Sequence, residues 1–276
     1  LEKDKEVILN EIWRAGVFSS PFYKIRATLN KDNIILDQEE NGFVILSEDI
    51  LSGGPSIQID KEGFIINGKA SPILGVNYYE SRSGELFWLK PNLLRVREDF
   101  KAMRKLGLNF VRIHYHHSKW FRDYFSQVVK DKLYPYLQVA DTTILPSERS
   151  LRILDALIQL AQEQGLIFCM DIFSLVPQEM GNPIGWLALK ERIVDENKIA
   201  QQKEFIRLIA QRYQDVPGIT WDLWNEPRLE GSDLGLLKSW VIILKNEFRK
   251  NQDRHLITLG DNLSLQLLDI LDYASV

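Results

Sequence analysis

Gly218-Ile-Thr-Trp-Asp-Leu-Trp-Asn-Glu-Pro-Arg228 is a short apolar run that breaks off into polar residues and a proline. The run reads as a buried strand. Pro227 ends its ladder, because proline has no backbone donor. Glu226 is thereby placed at the strand's C-terminal end, where the chain turns away. The same unit repeats on both sides of it. Apolar runs at 73–76, 110–113, 166–173 and 256–259 alternate with stretches whose apolar residues fall at helical spacing. These stretches carry Val96, Phe100 and Met103; Leu151, Leu154, Ile158 and Ala161; Ile206, Ile209, Ala210 and Tyr213; and Leu237, Trp240, Val241, Leu244 and Phe248. Such alternation specifies a parallel sheet covered by helices.

A doubly wound sheet and a closed barrel share this pattern. A doubly wound nucleotide-binding sheet would place a glycine-rich loop after its first strand, whereas Val76 is followed by Asn77-Tyr-Tyr-Glu-Ser81. Polar and aromatic residues instead gather at the end of strand after strand: Asn77 and Tyr78, Arg112 and His114, Asp171, Asn225 and Glu226, and Asp261. Barrels build their sites at that rim, so the sequence predicts a (β/α)8 TIM barrel over residues 71–276. Five strand–helix units and the opening of a sixth strand at 273–276 are legible, where closure needs eight. The expectation is a fragment, or one piece of a longer polypeptide.

Residues 1–70 read as a β-rich, sandwich-like accessory segment. Tyr23-Lys-Ile-Arg-Ala-Thr-Leu29 alternates as a half-buried strand does, and turn chemistry falls at Asp32-Asn33, Asn41-Gly42, Gly53-Gly54-Pro55 and Asn67-Gly68. The formal net charge of −4 gives no electrostatic footprint for nucleic acid. No apolar run of about 18 residues appears, so no membrane span is expected. Cys169 is the single cysteine, which excludes an intrachain disulfide, and its apolar surroundings suit a packed strand residue. The chain begins at Leu1 without a signal-peptide pattern, and nothing in it assigns a compartment.

Glycosidic cleavage needs one carboxylic acid to protonate the leaving oxygen and a second carboxylate across the bond. Glu226 suits the acid, since aromatic, partly desolvated surroundings of the kind Trp221 and Trp224 offer raise a carboxyl pKa. Asn225 carries both donor and acceptor and suits a sugar 2-hydroxyl.

Asn225-Glu-Pro227 at the end of a fourth strand resembles the clan of retaining β-glycosidases that includes cellulases, β-mannanases, β-galactosidases and β-glucuronidases. Gly75-Val-Asn-Tyr-Tyr79 looks like that clan's first strand, and Leu106-Gly-Leu-Asn-Phe-Val-Arg-Ile113 like its second. Arg212-Tyr-Gln-Asp-Val-Pro-Gly218 is similar to the lead-in of the acid/base strand in the cellulase and mannanase branch. The resemblance covers about residues 62–276. It implies that Glu226 is the acid/base, that Arg112 orients the nucleophile, and that the nucleophilic glutamate ends a seventh strand lying beyond Val276. A polypeptide ending at Val276 is therefore expected to be inactive. The implied partner is a carbohydrate substrate, and no metal or organic cofactor is required. One departure concerns strand three, where many cellulase relatives carry Asp-x-His and this chain has Asp171-Ile-Phe173.

Other readings stand beside these. Arg112 suits a structural ion pair as well as an active-site role. Asn77 and Tyr78 either line the site or close the first strand, Asp171 either lines it or caps a loop, and Trp224 is either a sugar platform or core. His114 and His116 share one strand face and suit either sugar hydroxyls or zinc, as in metal-dependent barrel hydrolases. A zinc site needs further histidines, and the only other one outside that tetrapeptide, His255, falls at the start of strand five, at the opposite end of the barrel. A carbohydrate-binding barrel without catalysis is the remaining alternative.

Overall fold

The structure, a computed structural model, describes residues 16–88, 91–115, 146, 148–173, 196–227 and 233–275. Its centre is a five-stranded parallel sheet of β6 (Gly75–Asn77), β7 (Phe110–His114), β8 (Ile167–Phe173), β9 (Ile219–Asn225) and β10 (Leu256–Gly260). The strands lie side by side in chain order, with no reversal. A doubly wound sheet reverses its order where the winding changes direction; this one keeps a single direction, as a barrel wall does. Ser275 begins a further parallel pairing through a bridge to Gly260.

Helices α2 (Leu93–Lys105), α3 (Glu148–Glu163), α4 (Glu196–Tyr213) and α5 (Leu234–Lys250) cover one face. Strand alternation sorts the side chains between the two faces. Val111, Ile113, Phe168, Met170, Trp221, Leu223, Ile257 and Leu259 join the helices in one buried cluster. Phe110, Ile167 and Cys169 form a second cluster on the other face, which closes the lower end of the wall. Asn92 starts α2 with its side chain accepting from Arg95 N–H at 3.1 Å, and Asp233 caps α5 in the same way.

Ahead of the barrel strands lie two small antiparallel sheets. β1 (Phe22–Lys31) pairs with β2 (Ile34–Val44) across Asp32-Asn33, both left-handed as a two-residue hairpin requires. β3 (Ile57–Ile59), β4 (Phe64–Ile66) and β5 (Lys69–Ala70) form the other, turning at left-handed Asn67-Gly68; between β2 and β3 lies the short helix α1 (Glu48–Ser52). Ile57, Ile66 and Ile73 pack on Phe110, Ile167 and Cys169, so the second small sheet stoppers the floor of the barrel.

The Asn41-Gly42 turn signal belongs instead to the interior of β2. Asn41 Oδ1 accepts from Leu93 N–H at 3.1 Å and its Nδ2 donates to Pro91 O at 3.0 Å. A Cβ on Gly42 would collide with the Phe22 ring and stand 3.1 Å from Leu94 N. Glycine serves close approach to α2 here, the other meaning it has within a strand.

Candidate active site

Arg112 stands on the helix-free face of β7 and is buried. A guanidinium has five N–H donors in a rigid fork, and all five find acceptors within the chain. Nε and Nη2 donate to Asp222 Oδ2 at 2.8 and 2.5 Å. Nη2 also donates to Asn225 Oδ1 at 3.1 Å. Nη1 donates to Asn77 Oδ1 at 3.2 Å and to His114 Nε2 at 3.3 Å. Burial works against the charge, but Asp222 and Asp171 outweigh it and raise the Arg112 pKa above its usual value. Strands β6, β7 and β9 are tied together at one cation, so the ion-pair role of Arg112 and its place in the site coincide.

Asp222 is fully buried. Besides Arg112 it takes the Gly260 N–H at 2.8 Å and the Trp224 N–H at 3.2 Å, both on Oδ1. Burial favours its protonated form and Arg112 opposes this. The surrounding N–H donors decide the matter for the carboxylate, since an acid hydrogen would have no acceptor among them. Arg112 can only donate, so His114 Nε2 accepts from it and Nδ1 carries the proton, which it gives to Asp171 Oδ2. Tyr79 lies over the His114 ring, centroids 5.4 Å apart and planes 21° apart, and is 42% exposed.

Asn225 and Glu226 owe their position to a bulge. Thr258 pairs with Asp222 and Gly260 with Asn225, so Leu223 and Trp224 together oppose the single residue Leu259. Both go to the helix layer, and Asn225 returns to the face of Asp222 although it is three residues on. Glu226 then takes a left-handed backbone at φ 53°, with its N–H bonded to Gly260 O at 2.9 Å. That conformation costs a non-glycine residue about 1–2 kcal/mol. Its exposed carboxylate Oε2 accepts from Asn225 Nδ2 at 3.3 Å.

Of the residues singled out in the sequence, Asn77, Arg112, His114, Asp171, Asn225 and Glu226 meet here. Two do not. Tyr78 is buried, donates to Asp99 Oδ2 at 2.7 Å and meets Phe100 edge to face, which puts it against α2. Trp224 is fully buried with its ring edge-on to Trp240 of α5, 5.3 Å between centroids. Both belong to the helix layer rather than the mouth. His116 and Arg228 lie outside the described residues. His255 bonds Asp253 and Val216 O at the N-terminal end of the strands, far from His114 along the wall. Among the described residues no group of three or more His, Cys, Asp or Glu is placed to hold a metal ion, and no helix is long and apolar enough to cross a membrane.

The sequence reading gave Asp222, Gly260 and Tyr79 no role. Asp222 was detectable: a carboxylate at an inward position of a strand buried on both faces needs a cation, and Arg112 stands on the same face two strands away, level with Thr220.

A singly wound parallel wall with an amide and a carboxyl lifted at its C-terminal rim is the arrangement in which (β/α)8 barrels build their sites. The model of the cellulase family (glycosyl hydrolase family 5) matches residues 66–262, more than half of the chain, and the chain belongs to that family. A probable mannan endo-1,4-beta-mannosidase A of Aspergillus flavus is 24% identical over 207 residues, covering 72% of this chain and 50% of that protein. Mannan endo-1,4-beta-mannosidase A of Podospora anserina is 25% identical over 217 residues, covering 75% and 54%. The chain thus spans about half the length of these relatives. A solved structure of a GH5_18 variant from Streptomyces cattleya, in complex with Manb1-4GlcNAc, aligns with a TM-score of 0.51 at 21% identity, covering 74% of this chain and 48% of that one. That likeness shows the fold: the five strands are consecutive strands of a (β/α)8 barrel.

Proposed function

We propose that the protein is a retaining glycoside hydrolase acting on β-linked mannosides, with Glu226 as its acid/base. The carrying observation is the bulged end of β9, which lifts an exposed carboxyl into the mouth beside Asn225. Membership of glycosyl hydrolase family 5 supports the reaction class, and the mannosidase names of the relatives support the sugar.

Glu226 protonates the departing glycosidic oxygen while a second carboxylate attacks the anomeric carbon; Glu226 then takes the proton of the incoming water. Asn225 has Oδ1 committed to Arg112, so it offers N–H to the sugar 2-hydroxyl. The half-exposed face of Tyr79 over His114 offers an apolar surface to a sugar ring. Retention needs the two carboxyls about 5–5.5 Å apart. Among the described residues Asp171 and Asp222 are committed to buried pairings, which supports a nucleophile drawn from another part of the protein.

Glu226→Ala in the full-length protein tests the assignment. Glycosides with good leaving groups need little protonation and should lose least kcat/KM, and azide should restore turnover by replacing the water step. Equal losses on good and poor leaving groups, with no rescue by azide, would sink it.

A further inference from the structure

We infer that Asp222 is a positioning residue for the acid/base: it sets Asn225 and Glu226 in place through Arg112 and through the backbone of the bulge. The inference rests on the proposed role of Glu226 and adds the group that holds that role in register.

Asp222 uses its two oxygens in two different ways. Oδ2 receives both Nε and Nη2 of Arg112, and two charge-assisted donors converging on one oxygen fix the direction of the guanidinium as well as its distance. The orientation is passed on, because the same Nη2 donates to Asn225 Oδ1. With that oxygen occupied, the Asn225 amide cannot flip without losing a charge-assisted bond. Its Nδ2 is thereby aimed at Glu226 Oε2.

Oδ1 acts on the main chain. It takes the Trp224 N–H, inside the two-residue bulge, and the Gly260 N–H, on the strand opposite. Gly260 in turn gives its carbonyl to the Glu226 N–H. The left-handed turn at Glu226 is therefore closed by a residue that Asp222 holds directly. A strained backbone persists only where its surroundings over-determine it, and here a side-chain route and a main-chain route converge on one carboxylate. Asp222 is too deeply buried to meet substrate, so all of its influence passes through these neighbours. The packing around it is correspondingly tight. A Cβ on Gly260 would stand 2.6 Å from Asp222 Oδ2 and 2.5 Å from Arg112 Nη2, leaving no slack around the pair.

Asp222→Asn in the full-length protein tests the inference. It keeps the shape and one oxygen for the main chain but turns an N–H against the Arg112 fork. General acid catalysis contributes about 10²–10⁴-fold, and a displaced acid forfeits it only where protonation is needed. The expected result is a kcat/KM loss about 100-fold or more larger on an alkyl β-mannoside than on the dinitrophenyl glycoside. A parallel readout is hydrogen exchange of the Asn225 side-chain amide by NMR, which should quicken at least about 10-fold in Asp222→Asn while the amides of α5 do not change. Equal losses on both substrates, with the Asn225 amide unaltered, would overturn the positioning role and leave the glycosidase reading standing. If the wild-type protein hydrolyses neither substrate, the glycosidase reading fails, and the Asn225 exchange rate still decides whether Asp222 holds that amide.

Discussion

Gly260 donates its N–H to Asp222 Oδ1 at 2.8 Å, and the position its own side chain would occupy is filled by the Asp222 and Arg112 side chains. Strand β10 can approach the ion pair this closely only because the residue there has no Cβ.

Gly260→Ala should therefore push the pair apart rather than be absorbed by a flexible neighbour. Overpacking a dense site costs about 1–3 kcal/mol. Urea unfolding should show a loss in that range, accompanied by reduced kcat/KM. A variant as stable and as active as the parent would mean that the wall yields more easily than its geometry indicates.

Arg112→Lys keeps the charge but not the fork. An ammonium can face Asp222, yet it cannot also serve Asn77, His114 and Asn225 from the same position. Breaking a buried ion pair outright costs about 3–5 kcal/mol, and retention of the charge should keep this loss near or below the lower figure. Urea midpoints measure it. Wild-type stability and unchanged kcat/KM would show that the four-way tie is dispensable.

Tyr78 and Tyr79 are adjacent and should behave oppositely. Tyr78→Phe removes one hydrogen bond to Asp99 in the helix layer, worth about 0.5–1.5 kcal/mol, and should leave kcat/KM unchanged. Tyr79→Ala removes the exposed ring over His114 and should raise KM with little effect on stability. The reverse pattern in steady-state kinetics would return Tyr78 to the mouth.

Acid should loosen the segment between β6 and α2 through Glu80. Burial works against its charge, but bonds from Ser83, Arg95 and the Arg82 N–H prevail and hold the carboxyl at about 2, below its ordinary 4.5. A depressed acid pKa stabilises the fold fully above the unfolded value and ceases to do so as pH falls through the folded one. The contribution should be intact at about pH 5 and decline toward about pH 2. Urea midpoints of wild type and Glu80→Gln should converge over that window. Parallel pH profiles of the two proteins would rule the linkage out.

Much of this architecture was legible because its signals are local. Apolar runs alternating with helical spacing gave the strands of the barrel wall, and Pro227 marked the end of β9. Asn77, Arg112 and Asn225 could be grouped because each ends or nearly ends a strand. Tyr78 was left open between lining the site and closing the strand, although period-two alternation from Asn77 already turns it toward the helices. Trp224, left open between sugar platform and core, is a different case: alternation from Asp222 turns it inward, and only the bulge reverses that. A bulge depends on the partner strand's register, which residues 219–225 do not contain. Asn41-Gly42 failed for a related reason, since its chemistry serves a contact with α2 some fifty residues later.

The stopper formed by β3, β4 and β5 changes what counts as a transplantable piece of this protein. A boundary drawn at residue 71 by composition would leave Phe110, Ile167 and Cys169 without the isoleucines Ile57 and Ile66 beneath them. Such a trimmed chain would present a greasy underside and a newly reachable thiol, inviting self-association and oxidation. Grafts, swaps and shortened versions should therefore begin ahead of Ile57, carrying the small sheet with the barrel it seals.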